Sequence, residues 1–91
     1  MTPGNSKYSI LYSDSAAEED IPALPARQKN QIKKAIEERL TIDPIGLGKP
    51  LRYSLTGHRR LRVGDYRIIY RIEDRTVKIL KIGHRREVYE E

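Results

Sequence analysis

The residues able to do chemistry in this chain are arginines, with two histidines and a tyrosine among them, and they gather in two stretches. Gly57 to Tyr70 reads GHRRLRVGDYRIIY and carries His58, Arg59, Arg60, Arg62 and Arg67; Gly83 to Tyr89 reads GHRREVY and adds His84, Arg85, Arg86 and Tyr89. A guanidinium holds phosphate oxygens in a two-pronged grip and stays charged, an imidazole titrates near neutrality, and a phenol can stack on a base or give a proton. Such a set can cleave RNA, because the 2′-hydroxyl of the substrate is the nucleophile. The protein then supplies a proton acceptor, a proton donor and cations for the charge that develops at phosphorus. Taken singly, each group has a plainer reading. Arg67 could solvate a sheet face, the histidines could be exposed bystanders, and Tyr89 could lay its ring on the core.

Other chemistries have less to work with. There is no cysteine, so neither a disulfide nor a thiolate nucleophile is available, and no serine sits in a glycine frame. The carboxylates are scattered and the two histidines lie 26 positions apart, which is not metal-ligand spacing. We therefore expect neither metal nor cofactor. No apolar run is long enough for a signal peptide or a membrane span, so the expected location is the cytoplasm, with no membrane partner.

The charge is uneven. The chain carries 18 Lys and Arg against 13 Asp and Glu, a net charge of +5, but residues 1–45 hold 6 basic and 7 acidic groups while residues 46–91 hold 12 and 6. The positive field belongs to the C-terminal half, where it would concentrate a polyanion, or equally an acidic protein.

The elements that must position these groups follow from hydrophobic period. At 91 residues the chain is expected to be one domain, residues 1–91, with a small core and a frayed polar terminus over Met1 to Ser6. From Lys7 to Ser13, Tyr8, Ile10 and Tyr12 alternate with Ser9, Leu11 and Ser13 and predict a first strand. Asp14 or Ser15 can cap a short helix that ends near Pro22, with Glu18 and Glu19 in its first turn. Pro25 suits the start of a second helix, where Ile32, Ala35, Ile36 and Leu40 make one apolar stripe and the lysines lie outside it. Thr41 to Thr56 holds too many Gly and Pro for a long element and reads as a connector. Three further strands are predicted from the opening stretch onward, broken at Val63-Gly64-Asp65 and Glu73-Asp74-Arg75. The order strand, helix, helix, strand, strand, strand predicts an α+β fold: a sheet of about four strands, rich in antiparallel pairs, with a helical hairpin on one face. Alternation sends Leu61, Val63, Ile68, Tyr70 and Ile72 to the buried face, and His58, Arg60, Arg62, Arg67 and Arg71 to the free one.

The segment PLRYSLTGHRRLRVGDYRIIYRIEDRTVKILKIGHRREVY, Pro50 to Tyr89, resembles the C-terminal half of RelE-type toxins of bacterial toxin-antitoxin pairs. The element order extends that likeness over nearly the whole chain. The resemblance implies the toxin of a type II pair: an endoribonuclease that enters the ribosomal A site, cuts mRNA without a metal by 2′-hydroxyl attack, and so stops translation. It also implies an acidic cognate antitoxin that holds the toxin inactive and brings it to operator DNA. Carried over, Arg67 would contact the scissile phosphate, Arg85 would stabilise charge or protonate the leaving group, and Tyr89 would stack on the base at the cut. His58 and Arg60 fall where the family has lysines. A guanidinium is a poor proton acceptor, so either His58 or His84 takes the proton or the reaction rests on positioning and electrostatics. Lys49, Arg59, Arg62, His84 and Arg86 would contact the RNA. Two other readings share the fold: a ParE-like inhibitor of DNA gyrase, and a non-catalytic basic module that acts with its antitoxin in DNA-bound autorepression.

Overall fold

Alternating side chains in the C-terminal half close a meander of three strands, and the N-terminal half lays its apolar stripe across it. The computed structural model describes residues 7–51 and 57–88; the expected frayed terminus and Tyr89 lie outside them. The strands are β1 (Ser9–Tyr12), β2 (Lys49–Pro50), β3 (His58–Val63), β4 (Tyr66–Glu73) and β5 (Thr76–His84). They form one sheet in the order β1-β5-β4-β3-β2, antiparallel except where β1 runs parallel to β5. The turn between β3 and β4 needs a positive φ and places Gly64 there at +60°; Asp74 takes +56° in the turn between β4 and β5.

A π-helical turn, Ala16–Asp20, follows β1, and helix α1 (Ala26–Ala35) continues into a second π-type turn, Ile36–Leu40. Ile32, Ala35, Ile36 and Leu40 are all buried, as their spacing predicts, against Leu61, Val63, Ile68, Tyr70, Val77, Ile79 and Ile82. Pro25 stands just before α1, its carbonyl accepting the first helical bond, from Lys29 N. The first helical turn is capped by Ser13 rather than by Asp14 or Ser15: Ser13 Oγ accepts from Ala16 N at 3.2 Å and itself donates to the Leu80 carbonyl at 3.3 Å. The cap thus ties the helix to β5.

Two expectations need correction. The sheet has five strands, and the stretch read as a connector contains both β2 and a short helix α2 (Pro44–Leu47). A sequence full of Gly and Pro forms regular structure here because distant side chains hold it. Asp43 Oδ1 caps α2 at Gly46 N, 2.9 Å away, and Tyr70 Oη donates to the Pro44 carbonyl. Gly48 leaves room for that phenol, since a Cβ there would overlap Tyr70 Oη.

Candidate functional site

The face of the sheet turned away from the helices is where the cations meet. Strand alternation places His58, Arg60 and Arg62 of β3 and Arg67, Ile69 and Arg71 of β4 on it, and Lys49 joins them because it pairs with Arg60 in the β2–β3 register. Arg62 stands directly opposite Arg67, so their Cβ atoms are about 5 Å apart; Arg60 is diagonal to Arg67, at about 7–8 Å. Arg71 pairs with Glu73, 2.5 Å away on the same strand.

Arg67 does not merely solvate this face. It keeps 8% of its surface, the one charged residue among the described residues to be buried, and its Nη1 donates to the Tyr66 carbonyl. On its other flank is Gly83 of β5, its register partner, and over Gly83 lies Val88 from the end of the chain. A cation held at this depth interacts with an anion through less water than an exposed one does.

The tail is a turn with its own hydrogen bonds. The His84 carbonyl accepts from Glu87 N and Val88 N, at 2.7 and 3.0 Å, and His84 Nδ1 accepts from Arg86 N at 3.2 Å. Arg85 N donates to the Asp65 carbonyl at 2.7 Å, tying the tail to the β3–β4 turn, and the Arg85 guanidinium stays exposed with Nε 3.9 Å from Asp65 Oδ1. So loose an exposed pair gives way readily to a phosphate. Arg85 and Arg67 therefore belong to the same end of the sheet.

Not every candidate shares this face. Arg59, expected among the RNA contacts, points to the helical side instead. It pairs across from Tyr70, and its guanidinium donates to the carbonyls of Ile45 and Gly48, which makes it the second clamp on α2. Burial raises the Tyr70 phenol above its ordinary pKa, an effect the neighbouring Arg59 charge opposes. His84 also faces the helical side, where its ring meets Tyr66 edge-on at 5.4 Å. With Nδ1 accepting from Arg86 N, the neutral ring carries its proton on Nε2. His84 and Arg86 line a cavity of about 380 Å³ at the end of β5 with Asp20, Leu24, Tyr66, Lys81 and Gly83. His58 is on the cationic face but four residues along β3 from Arg62, about 13 Å at 3.3 Å per residue. Neither histidine stands at Arg67.

Gly83 and Val88 were not singled out by the sequence, and Arg62, expected on the free face as an RNA contact, was not placed opposite Arg67. A glycine between an apolar strand and a basic tail was the available signal for the first.

The family model described as the ParE toxin of the type II toxin-antitoxin system parDE matches residues 10–89. Toxin RelG of Mycobacterium tuberculosis is 36% identical over 84 residues, covering 90% of this chain and 95% of RelG; toxin RelE of the same organism is 35% identical over 84 residues, covering 90% and 86%. Among solved structures, the toxin-antitoxin complex RelBE2 of M. tuberculosis superposes with a TM-score of 0.79 at 35% identity, over 86% of this chain and 98% of that one. The chain belongs to the RelE/ParE superfamily of type II toxins, on its RelE side, and has the RelE-like α+β fold.

Proposed function

We propose that this toxin is a metal-independent endoribonuclease that cuts mRNA in the ribosomal A site. The observation that carries the reading is the placement of Arg67: buried on the cationic face, opposite Arg62, and flanked by the tail that bears Arg85. The 2′-hydroxyl gives its proton to water as its oxygen attacks phosphorus, the bond from phosphorus to the 5′-oxygen breaks, and that oxygen takes up a proton from water; the products are a 2′,3′-cyclic phosphate and a 5′-hydroxyl. Arg67 and Arg62 take the charge on the non-bridging oxygens, and Arg85 supports the departing 5′-oxygen. Tyr89 stacks on the adjacent base. Arg60, Lys49 and His58 hold the RNA backbone along the face. With both histidines away from Arg67, the chain works by positioning and electrostatics, and its rate is modest. A cognate antitoxin, as in the RelBE2 complex, would silence it.

The ParE family match supports a second reading, inhibition of DNA gyrase. One experiment separates the two: express the protein in a translating extract and map mRNA 5′ ends by primer extension. Codon-positioned cuts that vanish in Arg67→Ala support the ribonuclease; intact mRNA with lost negative supercoiling moves the case to gyrase.

A further inference from the structure

Gly83 faces Arg67 across the β4–β5 ladder, so a side chain at position 83 would project onto the same face, beside the guanidinium. It has none, and the space holds Val88: a Cβ at Gly83 would stand 2.7 Å from Val88 Cγ2. The left-handed glycines among the described residues are Gly57 and Gly64, so position 83 requires room and not an unusual backbone. Val88 is 5% exposed yet lies outside the cluster that joins helices to sheet. An apolar side chain buried on the charged face, at the end of a turn carrying Arg85 and Arg86, serves the turn and not the core.

We propose that Val88 seated over Gly83 is a latch that sets the tail against Arg67, and that the two are positioning residues for RNA cleavage. The backbone bonds of the turn, from Glu87 N and Val88 N to the His84 carbonyl and from Arg85 N to the Asp65 carbonyl, form at the surface in competition with water. The Val88 contact is the apolar one, and its fit depends on the missing side chain at position 83. Val88 also immediately precedes Tyr89 in the chain. A displacement of reacting groups by 1 Å costs about 100-fold in rate, so a small shift of this latch is amplified in the chemistry.

This inference rests on the ribonuclease reading, and its test keeps the two apart. Gly83→Ala, Val88→Ala and the double variant are compared by amide exchange at Glu87 and Val88, with Ile68 and Ile79 as core controls, and by kcat and KM on ribosome-bound mRNA. Gly83→Ala is expected to speed exchange at both tail amides by about tenfold and lower kcat by about 100-fold, with KM within about twofold and the core amides unchanged. Adding Val88→Ala vacates the space that the new methyl fills, and is expected to recover exchange and kcat to within about fivefold of the native protein. Unchanged tail exchange in Gly83→Ala, fast exchange with native kcat, or a double variant no better than the single one overturns the proposal. If the native protein cuts no mRNA, the ribonuclease reading falls and the positioning role with it, while the exchange measurements alone decide whether the latch exists.

Discussion

At the scale of the residue, Arg67 and Arg59 show how little side-chain type says about task. Both are arginines in adjacent strands, but alternation turns one toward the open face and the other toward α2, where it binds two carbonyls. The forked geometry of Arg67 is what a phosphate in the transition state would use. Arg67→Lys keeps the charge and loses the fork, and is expected to lower kcat by about 10- to 100-fold with the thermal midpoint held, as read by single-turnover cleavage and circular dichroism. Tyr70 offers a test of the opposite kind. Tyr70→Phe leaves the Pro44 carbonyl without its donor, and is expected to cost about 1–2 kcal/mol in urea unfolding at neutral pH. Burial raises the phenols of Tyr70 and Tyr12 above their ordinary pKa of about 10. Above that value the unfolded chain gives up these protons before the folded one does. Stability is therefore full below about pH 10 and falls as pH rises further, and Tyr70→Phe should lose less over that alkaline range than the native protein.

At the scale of the element, the decisive object is the far end of β5. Beyond Ile79 the strand has outrun β1, and its edge is closed by side chains: Ser13 Oγ on the Leu80 carbonyl and Asp20 Oδ2 on Ile82 N, at 2.9 Å. Asp20 also lies 3.5 Å from Lys81 Nζ. This half-buried carboxylate covers a sheet edge that would otherwise hold open bonds next to the tail. Asp20→Ala is expected to cost about 1–2 kcal/mol in denaturant unfolding and to raise amide exchange at Ile82 more than at Ile68. The helical stripe was readable because it needs only a period of 3.6. The edge closure was not, because Asp20 and Ile82 meet across 62 positions. The same holds for α2, whose anchors are Tyr70 and Arg59.

At the scale of the whole molecule, the net charge of +5 becomes a one-sided field, since the sheet has helices on one face and cations on the other. Lys49, Arg60, Arg62, Arg67 and Arg85 can each meet a phosphate. Their joint engagement predicts a slope of log affinity against log salt of about −3 to −4 for single-stranded RNA, read by fluorescence anisotropy. Replacing Arg60 and Arg62 together by Gln should flatten that slope by about 1.4. A slope unaffected by those changes would put the RNA elsewhere on the protein.

The sequence by itself determined the order of the larger elements, β1, the helices, β3, β4 and β5, the apolar stripe of α1, the two faces of β3 and β4, and the concentration of cations in the C-terminal half. Those properties follow from local period and composition, and they carried the resemblance that the family comparison bears out. Which cations stand together was decided by tertiary structure. Register set Arg62, and not Arg60 or His58, opposite Arg67; the end of β1 left β5 an edge for Asp20 to close; and a missing side chain at Gly83 let Val88 bring the tail onto the charged face. Each is a contact between residues far apart in the chain, fixed by strand pairing and steric fit, neither of which leaves a periodic trace in the sequence.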